Sequence, residues 1–459
     1  MSDHHPELPS RSTGADGPAT GRRAGLADRL AELVPAAPGP ELSPEERRAS
    51  IVRLLVVVGA GLALAAVTGK LAVVGVIAAV LVMILLHEAG HLVTARLAGM
   101  KVTEYFVGFG PRLWSVRRGE TTYGVKALPL GGYVRIVGMN SLDRVDPADE
   151  PRSYRAKPYR WRLLVASAGS AVHFLVAFVL LWVVFAVVGV PTDTGPLKVG
   201  SITRAVAGRP SPAVEAGFRL GDVIVAVDGR AVQRWDDVVR HVRARPGEPV
   251  TVTVERGGRR LDLVVVPLDL SRLPADERPV AASRPTGFVG VGFDPPLRTT
   301  GPVAALGRSA DRVRFLAVEA VKGIGTVFSP NGLSRYLDQL TEKPGRARPS
   351  EDQPRFLSPK GLVDVAGTAA RNGWLDVLTL LVAINVFVGV FNLIPLPPLD
   401  GGLVALATYE KVRSMLAGRD YRADYRKVLP VAAAVVMLLV FLGLTSLYLD
   451  IVRPLDLRQ

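Results

Sequence analysis

Apolar and polar positions along this chain fall into long blocks. Apolar runs occupy 51–68, 71–86, 163–190, 375–394 and 428–449. A helix crossing the hydrocarbon core needs about 20 largely apolar residues, so each run predicts a membrane span. The first two are short and parted only by Gly69 and Lys70. Between 198 and 267 the period changes. Strand-like runs at 223–227, 250–255 and 261–266 are set off by Asp-Gly and Gly-Gly turns, with a helical stretch at 235–242. That pattern predicts a small α+β module inserted between spans. An amphipathic stretch at 303–327 and a polar, Pro-rich loop at 342–355 follow it. Residues 1–48 show no sustained apolar period and read as a disordered tail.

Composition sharpens this picture in two places. The chain of 459 residues has no cysteine, which excludes disulfides and thiolate metal sites. Its formal charge of +14 does not point to nucleic acid, because no compact basic motif with interleaved aromatics occurs. Lys and Arg instead crowd the segments 99–162 and 411–427, next to spans. Such an excess marks the cytosolic side. The segment from 191 to about 373 then lies outside. The N-terminal tail falls inside if there are five spans and outside if there are four; five is the reading taken here. The tail is too long for an ordinary signal peptide, so an uncleaved anchor in the cell membrane is expected.

Candidate chemistry stands at the end of the second run, in His87-Glu88-Ala89-Gly90-His91. Two histidines four apart share one helix face and can bind one Zn²⁺ through ring nitrogens at about 2.0–2.1 Å. The intervening Glu88 can take a proton from water and return it to a leaving amine. Ionisable groups inside an apolar span are costly and by default functional. A catalytic zinc usually has three protein ligands. His173 lies on another span without a partner at ligand spacing and is set aside as structural; His241, His4 and His5 are poorly placed. Asp400 is the better third ligand. It follows a run broken by three prolines and precedes Gly401-Gly402. Depth agrees: Leu71 to His87 is about 24 Å of helix, near the far, cytosolic end of a core about 30 Å thick. The later span arrives at the same side with Asp400. One carboxylate and two neutral imidazoles would leave a bound zinc ion at net +1.

These residues resemble the site-2 protease family of intramembrane zinc metalloproteases, in its bacterial branch with an extracytoplasmic PDZ domain. The likeness runs from about residue 71 onward. It rests on the His87–His91 motif, Gly108-Phe109-Gly110-Pro111, Leu128-Pro129-Leu130-Gly131-Gly132-Tyr133-Val134, and the segment from Asn392 to Gly402. The resemblance implies that His87, His91 and Asp400 bind zinc and that Glu88 is the general acid/base. It implies a β-like loop over 121–139, dipping toward the membrane, where Leu130, Gly131, Gly132 and Tyr133 receive an unwound substrate strand. Asn392 and Pro397 are implied to help hold that strand. Where the family shows Gly-Pro-x-x-Asn-Phe, this chain has Gly169-Ser170-Ala171-Val172-His173-Phe174, so any role of that Asn is not carried over.

The inserted module looks like a PDZ domain through Ser211-Pro212-Ala213, Ala216-Gly217-Phe218 and Leu220-Gly221-Asp222-Val223-Ile224. PDZ grooves take an extended peptide as an added strand, and Val199, Gly200, Ser201 and Ile202 form the expected groove edge. A steric plug that binds no peptide is the other reading. The expected fold is therefore a polytopic α-helical membrane protein with four core transmembrane helices plus an extra N-terminal one. It carries a membrane-associated β-loop and an inserted α+β PDZ-like domain. The expected division is tail 1–48; spans 49–69, 70–98, 162–190, 374–402 and 428–450; cytosolic loops 99–161 and 403–427; PDZ-like domain 191–285; linker 286–373; and tail 451–459. The resemblance implies cleavage of single-span membrane proteins, such as anti-sigma factors or remnant signal peptides, already trimmed outside by another protease. A catalytically silent membrane scaffold working through the module is the competing class, though it has no use for the four polar groups.

Overall fold

The computed structural model describes residues 44–140, 145–192, 195–273, 284–341, 356–424 and 427–452. Most of the expected tail (1–43), the loop 342–355 and the last residues 453–459 lie outside these. Among the described residues, five helices are long and apolar enough to cross a membrane: Arg48–Val67, Val73–Leu97, Tyr159–Val188, Trp374–Asn392 and Leu429–Val452. The first belongs to helix α1 (Pro44–Val67), which begins inside the stretch expected to be tail. A turn at Gly69 leads into α2 (Leu71–Leu97). This helix is about 40 Å long and continues past the apolar run, carrying His87 to His91 unbroken.

A long antiparallel hairpin follows, β1 (Val102–Arg118) and β2 (Thr121–Ile136), with Tyr105 opposite Val134. It begins well before the expected 121–139 loop. Its base packs Met100, Val102 and Ile136 against Leu92, Ala95 and Val165. The Tyr105 hydroxyl donates to Leu85 O at 2.7 Å, pinning the hairpin to α2 two residues before His87. Helix α3 (Tyr159–Val183), extended by a wider turn at Val184–Val188, is the hub of the bundle. Its buried face runs Arg162, Ala166, Gly169, Ser170, His173, Ala177, at helical three- and four-residue spacing. Small residues on that face let neighbouring helices approach closely.

The module supplies strands β3 (Leu197–Ile202), β4 (Val223–Val227), β5 (Val250–Arg256) and β6 (Arg259–Val265), with helix α4 (Trp235–Arg243). Strand β7 (Val291–Phe293) completes an antiparallel sheet in the order β6-β5-β4-β3-β7. The module thus draws its end strand from beyond residue 285. Alternation on β5 buries Val250, Val252 and Val254 while Thr251 and Thr253 face outward. Each fully buried valine contributes on the order of 1.5–3 kcal/mol.

The amphipathic stretch folds as α5 (Pro302–Val327), whose Val313, Leu316 and Ala317 pack on Ala177, Leu181, Val382 and Val386. Helices α6 (Pro330–Thr341) and α7 (Pro359–Asn372) lead to α8 (Trp374–Asn392). The expected loop 403–427 is largely helix α9 (Asp400–Ala417), and α10 (Leu429–Val452) is the last span. Arg162 at the start of α3 donates to Glu410 Oε2 at 2.5 Å, inside the bundle, tying α9 to α3.

Candidate active site

The histidine pair leaves α2 toward α3 and α9. His91 Nδ1 donates to Val165 O at 2.7 Å, so its Nε2 is left with a lone pair. His87 lies one turn earlier, against Gly169 on α3. A Cβ on Gly169 would stand 2.3 Å from His87 Cε1, so only glycine leaves room for the ring. Asp400 is the first residue of α9, where the segment after α8 turns back. Cβ atoms on Gly401 and Gly402 would stand 2.3 Å from Ile394 O and 2.6 Å from Pro397 N. The double glycine lets the first turn of α9 press onto the preceding chain and swing Asp400 to the histidines.

The structure brings these three groups together. His87 Nε2 and His91 Nε2 lie 3.5 and 3.4 Å from Asp400 Oδ2, and 3.3 Å from each other. Both histidines are buried, and Asp400 Oδ2 is buried with no hydrogen-bond partner among the described residues. Glu88 stands beside them, with strand β2 at its other side: a Cβ on Gly132 would be 3.3 Å from Glu88 Cγ. The Val134 amide faces the Glu88 carboxylate.

Residues 75–441 match peptidase family M50. The chain belongs to that family. This M50 peptidase is 34% identical over 406 residues to zinc metalloprotease Rip1 of Mycolicibacterium smegmatis, covering 83% of this chain and 97% of the relative. It is 32% identical over 405 residues to zinc metalloprotease Rip1 of Mycobacterium tuberculosis, with the same coverage. A PDZ domain of an SdrC-like protein from Listeria innocua aligns in structure with 22% of this chain and 93% of its own length, at 14% identity and a TM-score of 0.17. The M50 peptidase is a multi-pass membrane zinc metalloprotease.

The donor set of the M50 peptidase fits zinc. Ligand atoms about 2.0–2.1 Å from a tetrahedral zinc stand roughly 3.3–3.4 Å apart, and the three observed edges are 3.3, 3.4 and 3.5 Å. A buried carboxylate oxygen without a donor is costly unless paired or bound to a cation. The residues implied for substrate are placed less uniformly. Gly132 on β2 lies against Glu88, whereas the Tyr133 hydroxyl turns into the hairpin and donates to Glu104 Oε2 at 2.6 Å. Asn392 ends α8 and Pro397 stands in the turn before α9, both half-buried. Gly131 packs toward Phe109, and the Leu130 side chain lies outside the described residues.

Sequence reasoning named Gly169 and His173 without their contacts, and missed the Val165 carbonyl, Tyr105 and Asn385, which bonds His173. A glycine on an apolar span at helical spacing from Val165 was the available signal. The expected groove edge needs correction. Val199 is bonded to Asp222 on one side, and Val199, Ser201 and Ile202 pair with Phe293, Gly292 and Val291 on the other. Strand β3 is therefore interior, with no row of free amides for a peptide. The end strand is β7, and a cavity of about 240 Å³ lies between it and α4, lined by Phe218, Trp235, Val238, Val242 and Val291.

Proposed function

We propose that this M50 peptidase cleaves peptide bonds within the transmembrane segments of single-span membrane proteins, in the cell membrane and toward its cytosolic side. The observation that supports this best is the triangle of donors from α2 and α9, set among apolar helices with Glu88 beside it. His87, His91 and Asp400 would hold the zinc. When bound, zinc polarises a scissile carbonyl and makes water a better nucleophile.

The chain's own residues would do the rest. A helix hides its carbonyls in internal hydrogen bonds, so a membrane substrate must unwind before it can be cut. Strand β2 from Leu128 to Val134 would hold the opened segment extended, with Gly132 allowing close approach to Glu88, and Asn392 and Pro397 would flank it. Glu88 would take the proton of the attacking water and deliver it to the leaving nitrogen. Outside, β7 and the cavity beside α4 would receive the end of a chain trimmed by another protease, as an added strand. Anti-sigma factors and remnant signal peptides fit the required substrate chemistry.

Replacing Glu88→Gln removes the base and keeps the shape. Turnover of a membrane-segment substrate should fall on the order of 10²–10⁴-fold, with zinc content per chain unchanged. Comparing membrane proteomes made with native and Glu88→Gln protein should show uncut single-span proteins accumulating. A fully active variant would end the assignment of Glu88.

A further inference from the structure

Two more buried polar side chains stand at the level of the donor triangle, on α3 and α8. His173 is 3% exposed and Asn385 0%. His173 Nδ1 lies 2.9 Å from Asn385 Oδ1. The Asn385 amide nitrogen points to Leu381 O at 2.8 Å and touches the Met83 sulfur. A carbonyl only accepts, so the amide group turned to Leu381 must be NH₂, and the oxygen is what faces the imidazole. His173 Nδ1 therefore carries the proton, and Nε2 keeps its lone pair. The His91 ring is fixed in the same way by Val165 O. Metal-binding histidines are oriented by such a donor contact from the far nitrogen.

Position points the same way. The His173 ring centroid is 5.0 Å from that of His87, against 4.9 Å between His87 and His91. His87 thus has an imidazole neighbour on two sides, although the group of ligand atoms within 4.8 Å of one another holds only His87, His91 and Asp400. Among the described residues, His173 is hydrogen-bonded through Nδ1 only.

We propose that His173 is a positioning residue of the metal centre. Asn385 locks it in the tautomer whose Nε2 accepts a hydrogen bond from the attacking water, while Glu88 takes that water's other proton. The inference rests on the zinc reading of the triangle. The full-length protein in detergent, loaded with Co²⁺ in place of zinc, provides the test. Metal affinity is read by chelator competition, metal geometry by the visible spectrum, and kcat and KM on a membrane-segment peptide. His173→Phe should still hold one metal, about 10–100-fold more weakly, with an altered cobalt spectrum and a lower kcat at similar KM. Asn385→Leu should reproduce those changes, and Asn385→Asp, which keeps an acceptor, should not. If His173→Phe does not fold, the two Asn385 variants decide. Native affinity and spectrum in His173→Phe, or in Asn385→Leu where His173→Phe is lost, overturn the proposal and leave the triangle standing. A His87→Ala protein that retains its metal overturns the zinc reading and the proposal together.

Discussion

Two carboxylate–imidazole clusters in this chain use the same groups and end in opposite states. In the module, Asp228 accepts from His241 Nε2 at 2.7 Å, Arg245 Nη1 at 2.6 Å and the Thr251 amide at 2.8 Å. Among the membrane helices, Asp400 Oδ2 stays 3.4 and 3.5 Å from its two imidazoles. The first set lies at hydrogen-bonding distance and the second beyond it. Asp228 has closed on its neighbours and stabilises the module's turn. Around Asp400 each partner is fixed from behind: His91 by Val165 O, His87 against Gly169, and α9 by the close approach of its two glycines to the preceding chain. Three donors 3.3–3.5 Å apart, each fixed from behind, form a group that could hold a metal ion.

The largest effect should come from breaking the open cluster. Asp400→Asn keeps the shape and removes the charge, and zinc retention should weaken by at least about 100-fold, since even partners one shell further out cost 10–100-fold. Zinc per purified chain and proteolysis should fall together. Asp228→Asn should leave both untouched. Unchanged zinc stoichiometry in Asp400→Asn would show that another group completes the site.

Next in size is the buried ion pair that ties α9 to α3. Arg162 and Glu410 are each 8% exposed, and Glu410 also accepts from the Ala423 amide at 2.9 Å. Removing one member of a buried pair costs about 3–5 kcal/mol when nothing else compensates the charge, and less here because Arg422 also lies 3.4 Å from Glu410 Oε2. Arg162→Met should therefore lower the unfolding temperature markedly, and Arg162→Met with Glu410→Leu should recover much of it, since apolar replacement of both partners is often neutral. If α9 is seated mainly by this pair, zinc affinity in the single variant should fall as well. A double variant less stable than the single one would show that the pair itself, not the stranded charge, matters.

Much of this was legible in the sequence, for a physical reason. Bilayer thickness converts a run of apolar residues directly into a span, so five helices followed from run length. The i, i+4 histidines and the Pro-rich break before Asp400 carry their own geometry, and so the triangle could be named. Tertiary pairing was not legible. Strand β7 lies far along the chain from β3, and nothing local in Val199–Ile202 says that its second edge is taken. His173 looked isolated because its partner, Asn385, is 212 residues away. Gly169 was visible as a motif glycine, but its purpose depends on which ring faces it.

The smallest effect concerns the closed cluster and its pH dependence. The Thr251 amide, then His241 and Arg245, hold the Asp228 carboxyl below its usual range. A carboxylate depressed in the folded state stabilises fully above its unfolded pKa of about 3.9 and loses that contribution as pH falls through the lower folded value. The side chain is 26% exposed, so solvent screening trims the gain to about 1–2 kcal/mol at neutral pH. Asp228→Asn should speed amide hydrogen exchange in α4 and β5 at pH 7 by on the order of 10-fold, and should remove the acid-dependent rise in that exchange below about pH 4. The helices that carry His87, His91 and Asp400 should be unaffected, because they do not share this contact. Equal sensitivity of exchange in α2 would mean that the two clusters are mechanically coupled, and that the module reports on the site from outside.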